Sequence, residues 1–600
     1  MKNTIVLLLF ILLFMTMTQI YAQDIVSFEV VNNASVGLTI TPYEKWGMAV
    51  HDIDRNGYPD IFNIRWAAPG YSRMYVNNEG VFQEITNQTS IEAVETLEPK
   101  TRQTLWVDFD NDGDRDLSMA TEDNLHLFRN DDNVFTEIST EVGFEGYKPP
   151  GFISAWGYWL GGWADYDLDG DLDCVVTQDN NKRMYLFRND GGHFTNVSAE
   201  AGLDSTAMAE DYRFSWFDFD LDGDPDLHCR ADMYRNDGGV FTNVAAEMGF
   251  STMLGSSVTY RDFFDYDNDG DFDFFKVNGY PTSGEITEIW ENRDGMFVNA
   301  TEELGLDIPL DQYRGLTIGD FDNDGDPDVF VQKNSAEGLD VLLVNDEVAP
   351  GERAFADVAQ FVGISMVGAR KGAAFFDYNR DGFLDIYLSS VPHNHILYKN
   401  LADNGANWVG FILEGTQSNR DAVGSLVTLY TGAKKQIRYT ICGNGFMRQD
   451  NPWVHFGIGY ETSIDSVVIR WPLGLRQVLT NVAINQYHEI KEGEVSAVKT
   501  HGDVPFTPDA FQLEQNYPNP FNPGTQITYH LPYKCNVKLT VYNVIGREVA
   551  VLANQNKQAG MHSAIWEAID ASGAILPSGL YFYKLQAGSF TQVRKMMLVQ

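Results

Sequence analysis

The sequence predicts an all-β chain, its larger part closed into a seven-bladed β-propeller and followed by two smaller β-domains. Three observations predict it. An acidic nine-residue loop recurs seven times, each copy lies between apolar strand-like runs, and a strand missing from the last repeat stands near the start of the chain. A nearly fixed period close to fifty residues, with one supersecondary unit per repeat, marks a propeller or solenoid.

The stretch before the repeats reads as a signal peptide over residues 1–22. Lys2 supplies the positive end, Ile5 to Phe14 the apolar run, and Ala22 a cleavage site that sets a mature start near Gln23. That run is too short for a membrane span, which needs about 20 residues. No cysteine follows the cleavage point, so a lipid anchor is not expected. The formal charge of -43 excludes a nucleic-acid partner, which requires a basic face, and disfavours docking on anionic lipid. Four cysteines, Cys174, Cys229, Cys442 and Cys535, are too few for a disulfide scaffold. Cys174 and Cys229 follow acidic loops in consecutive repeats, so a bridge between them is conceivable; geometry decides such pairs.

The loops fit Asp-x-[Asp/Asn]-x-[Asp/Asn]-Gly-x-x-Asp or a close variant, starting at Asp52, Asp108, Asp165, Asp218, Asp265, Asp320 and Asp377 and spaced by 56, 57, 53, 47, 55 and 57 residues. Two residues before each stands an apolar side chain: Val50, Trp106, Trp163, Trp216, Phe263, Ile318 and Phe375. These suit a buried strand. A second signature follows, as in LFRNDGGHF: an apolar run, an Asn/Asp/Gly turn and a short strand, which together make a hairpin. Each repeat is therefore strand, acidic loop, strand and hairpin, the four strands of one blade. The last repeat stops at the turn residue Asn400 with no Phe strand after it. Phe28 near the N-terminus matches Phe82, Phe135 and Phe194 and supplies the missing strand. A first strand that completes the last blade closes the ring and leaves no open sheet edge at the join.

Side chains at positions 1, 3, 5 and 9 of each loop are candidate metal ligands. They are Asp52, Asp54, Asn56 and Asp60 in loop 1, then Asp108, Asp110, Asp112 and Asp116 in loop 2. Loop 3 has Asp165, Asp167, Asp169 and Asp173, and loop 4 has Asp218, Asp220, Asp222 and Asp226. Loop 5 has Asp265, Asp267, Asp269 and Asp273, loop 6 has Asp320, Asp322, Asp324 and Asp328, and loop 7 has Asp377, Asn379, Asp381 and Asp385. Glycine at position 6 permits the bend, the carbonyl at 7 adds an oxygen, and the aspartate at 9 closes the shell. An all-oxygen flexible site suits Ca²⁺ over zinc or a transition metal. A single copy could be a hydrated turn. Seven copies holding 31 of the 85 acidic residues repel one another strongly without a cation. Up to seven Ca²⁺ are expected, with affinities of about 10⁻⁴–10⁻³ M as in other extracellular modules. Asn56 and Asn379 make loops 1 and 7 weaker.

Residues 28 to 400 resemble the FG-GAP/VCBS repeats of integrin α-chain propellers and of bacterial surface proteins. The resemblance implies a propeller, residues 23–400, with calcium-loaded hairpins on one face, and implies no ligand. Beyond Asn400 the acidic period ends, and short alternating strands with Gly-rich turns follow. SNRDAVGS, HFGIG and IRWPLG in 401–492 resemble the ASPIC/UnbV domain of the cartilage acidic protein family. That resemblance implies an architecture without an activity; Arg420, Asp421 and His455 are its tempting polar residues, expected to fix loops. Residues 493–512 read as a linker. In 513–600, NYPNPFNPGT, the alternating KLTVYNVIGREVAVL and the terminal SGLYFYKLQAGSFTQVRKMMLVQ suggest a small Ig-like β-sandwich. These motifs resemble the type A sorting domain of the type IX secretion system. With the signal peptide, this implies export to the medium or the outer cell surface through that machinery, often with removal of the tail.

No HExxH, Walker A, GxSxG or paired CxxC is present. His393 and His395 of PHNH, and Trp159 of WGYWLGGW as a sugar-stacking surface, are weaker candidates than loop and core roles for the same residues. Arg102, Arg213, Arg314 and Lys371 stand five or six residues before their loops. If the strand before each loop is innermost, they form a basic collar at the opposite channel mouth, able to take anionic groups such as uronates; ion pairing with nearby acids is the plainer role. The first functional reading is a secreted or cell-surface calcium-binding propeller for adhesion or for carbohydrate or protein recognition. A polysaccharide lyase or hydrolase on the same scaffold is the alternative, by fold analogy.

Overall fold

The computed structural model describes residues 26–494 and 511–598 apart from short internal stretches, the longest being 92–100, 146–156, 204–213, 251–258 and 279–286. The predicted signal peptide lies outside the described residues. Two compact units divide between residues 496 and 497.

Seven sheets of the first unit share a core of four antiparallel strands among the described residues, in sequence order except that the outer strand of sheet 7 comes from the N-terminus. Sheet 1 carries a fifth, parallel strand. Sheet 2 is typical, with strands Thr101–Val107, Asp116–Thr121, Leu125–Asp131 and Val134–Glu137. The burial pattern falls outward across it. Its first two strands are wholly buried, whereas the fourth buries only the repeat phenylalanine, Phe135. First strands pack against the first strands of both neighbouring sheets, and that of sheet 7 against that of sheet 1. The sheets are therefore the blades of a β-propeller around a central channel. The join is as expected: Phe28–Val30 pairs antiparallel with Ile396–Asn400, placing Phe28 opposite Asn400 and completing sheet 7.

The turn asparagines hold neighbouring sheets together. Asn77 Nδ2 of sheet 1 donates to the Pro59 carbonyl (3.0 Å) and to the Tyr378 carbonyl of sheet 7 (2.8 Å). Asn189, Asn236, Asn345 and Asn400 reach in the same way to Phe109, Tyr166, Tyr266 and Phe321 of the preceding loops. Each amide satisfies buried carbonyls that no strand can reach. Asn77→Ala is expected to cost about 2–3 kcal/mol, because two buried acceptors lose their donor at the ring's seam. Chemical denaturation of the variant against wild type measures it.

Residues 407–491 form a second body within this unit. One sheet pairs Asn407–Glu414 with Val454–Gly459 and Tyr487–Lys491; the other joins Lys434–Tyr439, Leu426–Thr431, Ser466–Arg470 and Arg476–Leu479. Phe411, Val427, Leu429, Phe456, Ile469 and Trp471 belong to the apolar core between them. Glu492 fastens the end of this body. Its Oε2 accepts the N–H groups of Thr416, Gln417 and Ser418 at 2.8, 2.8 and 2.9 Å, and Oε1 accepts the Ser418 hydroxyl. Burial alone pushes its pKa up, but these four donors outweigh it and hold the pKa below the usual 4.5. A depressed carboxyl stabilises the fold above its unfolded pKa, and the contribution fades as pH falls through the folded value. Glu492→Gln should cost about 2 kcal/mol near neutral pH and lose less stability than wild type on acidification below pH ~4.5, as thermal melts across pH would show.

The second unit is a two-sheet sandwich. Thr525–Leu531 and Gly560–Trp566 stand on one side; Cys535–Asn543, Glu548–Lys557, Gly579–Ala587 and Phe590–Leu598 on the other. Ile527, Tyr529, Leu539, Trp566, Tyr583 and Leu585 contribute to its core. All four cysteines are free thiols, so Cys174 and Cys229 are not bridged.

Candidate metal centres

Every loop lies at the end of a first strand, and the second strand begins at the position-9 aspartate in all seven sheets. Two residues per loop adopt the left-handed conformation. The position-6 glycines do so with φ between +85° and +115°, and so does position 4, occupied by Arg55, Asn111, Leu168, Leu221, Asn268, Asn323 and Arg380. A left-handed residue with a side chain costs roughly 1–2 kcal/mol, and seven aligned instances mark a constrained site. Sequence reading credited the bend to glycine alone. Position 4 also links the loops around the ring: Asn111 donates to the Gly170 carbonyl (3.1 Å), Asn323 to Gly382 (3.0 Å) and Arg380 to Gly57 (2.8 Å).

The fold draws the predicted ligands together. Carboxylate oxygens of Asp52, Asp54 and Asp60 lie within 4.8 Å of one another, as do those of Asp108, Asp110 and Asp116, and of Asp165, Asp167 and Asp173. In loops 4 and 5 the trios are Asp218, Asp220 and Asp222, and Asp265, Asp267 and Asp269. Asn56 is engaged inside its own loop, accepting the Tyr58 N–H at 2.8 Å and donating to the Asn77 carbonyl at 2.8 Å. Asn379 bonds to Asp381.

The first aspartate has two distinct oxygens. Its Oδ2 accepts the glycine N–H, at 2.9 Å in Asp52 and Asp320 and 2.8 Å in Asp377. Its Oδ1 accepts the position-5 N–H at 3.0 Å in Asp165, Asp218, Asp265 and Asp377, whereas in Asp52, Asp108 and Asp320 this buried oxygen has no hydrogen-bond partner. Orphaned anionic oxygens of this kind are costly unless a cation meets them. Burial first, and neighbouring carboxylates after it, push the carboxyl pKa to about 8 in Asp165 and Asp265 and to about 7 in Asp377. The donor set is all oxygen and fits a hard cation.

Position 9 does more than close a shell. Asp328 Oδ2 accepts the Phe321 N–H (3.1 Å) and Oδ1 the Asn345 N–H (2.9 Å), which ties loop, second strand and turn asparagine together. The same pair of bonds recurs at Asp60, Asp116, Asp173, Asp226, Asp273 and Asp385.

The second body caps this loop face, and the motifs that set it apart in the sequence make the contacts. From SNRDAVGS, Asp421 accepts the Asp108 N–H (2.8 Å) and pairs with Arg115 (2.8 Å), while the Arg420 N–H donates to Asn111 (2.8 Å). From HFGIG, His455 Nε2 meets the Gly382 carbonyl at 3.1 Å and the Gly457 N–H donates to Asp320 Oδ2 at 3.1 Å. From IRWPLG, Arg470 pairs with Asp218 Oδ2 and donates to the Leu221 carbonyl at 2.6 Å. Tyr487 Oη donates to Asp377 Oδ2 at 3.0 Å. Burial lowers the His455 pKa to about 4, so the ring is neutral. The polar trio Arg420, Asp421 and His455 thus fixes loops, those of the propeller.

Comparison with family models agrees with this anatomy. Residues 415–497 match ASPIC and UnbV, residues 165–229 and 265–331 match the FG-GAP-like repeat, and residues 515–600 match a secretion system C-terminal sorting domain. The chain carries FG-GAP-like repeats, an ASPIC/UnbV domain and a sorting domain. The sorting domain indicates delivery to the outer surface or the medium by the type IX secretion machinery. Among the described residues no helix is long and apolar enough to cross a membrane. Cartilage acidic protein 1 of Xenopus tropicalis is 25% identical over 33% of this chain and 30% of its own length, and the human protein 25% over 32% and 29%. The match therefore spans under a third of those relatives. Two solved structures are similar only loosely: the V. cholerae biofilm matrix protein Bap1 (10% identity, 83% of this chain and 72% of that one, TM-score 0.28) and PorZ, a type-IX secretion surface component of Porphyromonas gingivalis (10%, 92% and 81%, TM-score 0.17). Likenesses this slight carry no functional argument.

The weaker candidates fare differently. Arg102 is buried, pairs with Glu122 at 2.6 Å and lies 5.6 Å over the Trp159 ring. Trp159 itself is 2% exposed, so it offers no sugar-stacking surface; its strand is innermost and covered on both faces. His395 is buried against Tyr387, with ring centroids 5.3 Å apart. Arg213 and His393, and the side chains of Arg314 and Lys371, lie outside the described residues.

Proposed function

We propose that this chain is an exported, calcium-stabilised propeller that acts by recognition, binding extracellular glycan or protein, and that its Asp loops hold Ca²⁺. The observation that carries the calcium reading is the recurring carboxylate trio, joined in the loops of Asp52, Asp108 and Asp320 by a buried, unpartnered Oδ1 on the first aspartate. When bound, the cation neutralises these oxygens. The protein's own part is positional: glycine N–H groups, the position-9 aspartates and the turn asparagines fix each carboxylate before the metal arrives. The cap occupies the loop face, which leaves the rim and the opposite mouth of the ring for a partner. Of the basic collar, Arg102 is buried and paired with Glu122, so Arg213, Arg314 and Lys371 belong to this proposal as the candidate contacts for acidic glycans.

A binding screen over acidic and neutral glycans and matrix proteins, with calcium and with chelator, tests the reading, and product release is followed in the same samples. Calcium-dependent capture without turnover is the expected result. Release of unsaturated or reducing sugar ends would instead establish the lyase or hydrolase alternative. Retention of acidic glycans unchanged by Arg213→Gln with Arg314→Gln would remove the collar.

A further inference from the structure

The cap also enters the ring. Cys442, Gly443 and Met447–Gln449, between the cap strands Lys434–Tyr439 and Val454–Gly459, lie along the inner strands of five sheets. Arg448 and Gln449 lie parallel to Met48 and Ala49 and add a strand to the inner edge of sheet 1. Gln449 accepts the Trp106 N–H (2.7 Å) and donates to the Trp106 carbonyl (2.8 Å) in sheet 2. The Trp163 N–H of sheet 3 donates to the Cys442 carbonyl (2.8 Å), and Arg448 pairs with Asp262 of sheet 5 (2.9 Å) and bonds the Leu316 carbonyl of sheet 6. Cys442, Met447, Arg448 and Gln449 are all buried. The channel wall is shaped to admit the segment, since a Cβ at Gly47 would stand 2.1 Å from the Met447 carbonyl oxygen. A cavity of about 200 Å³ remains at the seam, bounded in part by Phe263, Phe375, Asn451 and Trp453.

The outside of the same body rests on Oδ2 of Asp218, Asp320 and Asp377, while Oδ1 of these residues faces the metal cluster or its loop. One carboxylate thus serves two neighbours on opposite oxygens. We propose that the ASPIC/UnbV domain is a cation-locked stopper: metal in the loops fixes the carboxylates on which the cap sits, and losing it frees Cys442 and Met447–Gln449 from the channel. This rests on the calcium reading above and adds to it a linkage. By reciprocity, whatever unseats the segment must weaken calcium binding by the same factor that calcium strengthens seating. Without a cation the clustered carboxylates repel one another, and the oxygens that receive Tyr487 and Gly457 lose their fixed positions. Unseating bares the inner strands of the ring, a surface distinct from the rim and opposite mouth left for a partner in the calcium-loaded state.

Hydrogen exchange of the full chain tests it, with calcium or with EGTA, alongside calcium titration of wild type and of Gln449→Leu. Among the described residues the Gln449 side chain hydrogen-bonds to Trp106 and Cys442, neither of them in an acidic loop, and the substitution leaves the charge unchanged. The proposal expects exchange at Cys442 and Met447–Gln449 to rise at least about tenfold in EGTA while the second strands of the sheets stay protected. It also expects Gln449→Leu to weaken calcium binding about fivefold or more, within the usual range of such couplings. If calcium binds and the segment stays equally protected in EGTA, the linkage is wrong and the calcium reading survives. If no calcium binds at millimolar concentration, both are wrong. If Gln449→Leu binds calcium as wild type does, the linkage is wrong; if that variant does not fold, the wild-type exchange result decides.

Discussion

Chelating calcium should lower the melting temperature of the propeller and cap by about 10 °C or more. The size follows from mass action. A Kd near 10⁻⁴ M and about 1 mM free calcium give about 1.4 kcal/mol per loop, and on the order of 10 kcal/mol if seven loops fill independently. The pH dependence carries the mechanism. Without metal, Asp165 and Asp265 titrate near 8 and Asp377 near 7, against about 4 in an unfolded chain. Between those values the folded state holds more protons than the unfolded one, so metal-free stability falls as pH rises from about 4 to about 8. Calcium needs the ionised carboxylate, so it reverses the trend: the loaded protein weakens on acidification, as protons compete with the metal. The gap between melts in calcium and in EGTA should therefore widen from pH 5 to pH 8. A gap that is absent, or constant across that range, would remove the cation from the loops.

What the sequence made legible was what repeats. The spacing of the aspartates, the apolar residue two places before each loop and the Phe28 strand are periodic signals, and the structure places Trp106, Trp163 and Trp216 in the core and Phe28 opposite Asn400. Ile318 and Phe263 fill the same position but remain partly exposed. The turn asparagines were visible as hairpin punctuation, yet their reach to the preceding loop was not, because it joins residues some 80 positions apart, as from Asn345 to Tyr266. Position 4 was passed over because its residue type varies among Arg, Asn and Leu; only the backbone angle is shared. The docking of the cap was the largest omission. Arg470 meets Asp218 across 252 positions and Gln449 meets Trp106 across 343, and no periodicity encodes a contact made once. For Trp159 the core role favoured over a sugar platform is the one the structure shows, although a cluster of aromatics looks the same in sequence whether a strand is innermost or at the rim.

Asp328→Ala and Asp324→Asn, two changes in one loop, should separate the structural carboxylate from the metal-binding one. Asp328 accepts two buried N–H groups, from Phe321 and Asn345. Its loss strands both donors at about 1–3 kcal/mol each, so the variant should be destabilised by about 3–5 kcal/mol in calcium and in EGTA alike. Asp324 uses Oδ1 to accept the Asp326 N–H at 2.8 Å, a role that asparagine fills equally. Loop 1 already shows this, since Asn56 at the same position accepts the Tyr58 N–H at 2.8 Å. Asp324→Asn, which also removes one repelling charge, should therefore melt at or above wild type in EGTA and fall behind it only when calcium is present, with one site weakened about tenfold, or about 1.4 kcal/mol. The opposite ranking in EGTA would mean that position 9 serves the metal alone. Equal melting of Asp324→Asn and wild type in saturating calcium, together with equal calcium stoichiometry and affinity, would mean that loop 6 holds no cation, and that its buried carboxylates are kept in place by the cap and the backbone.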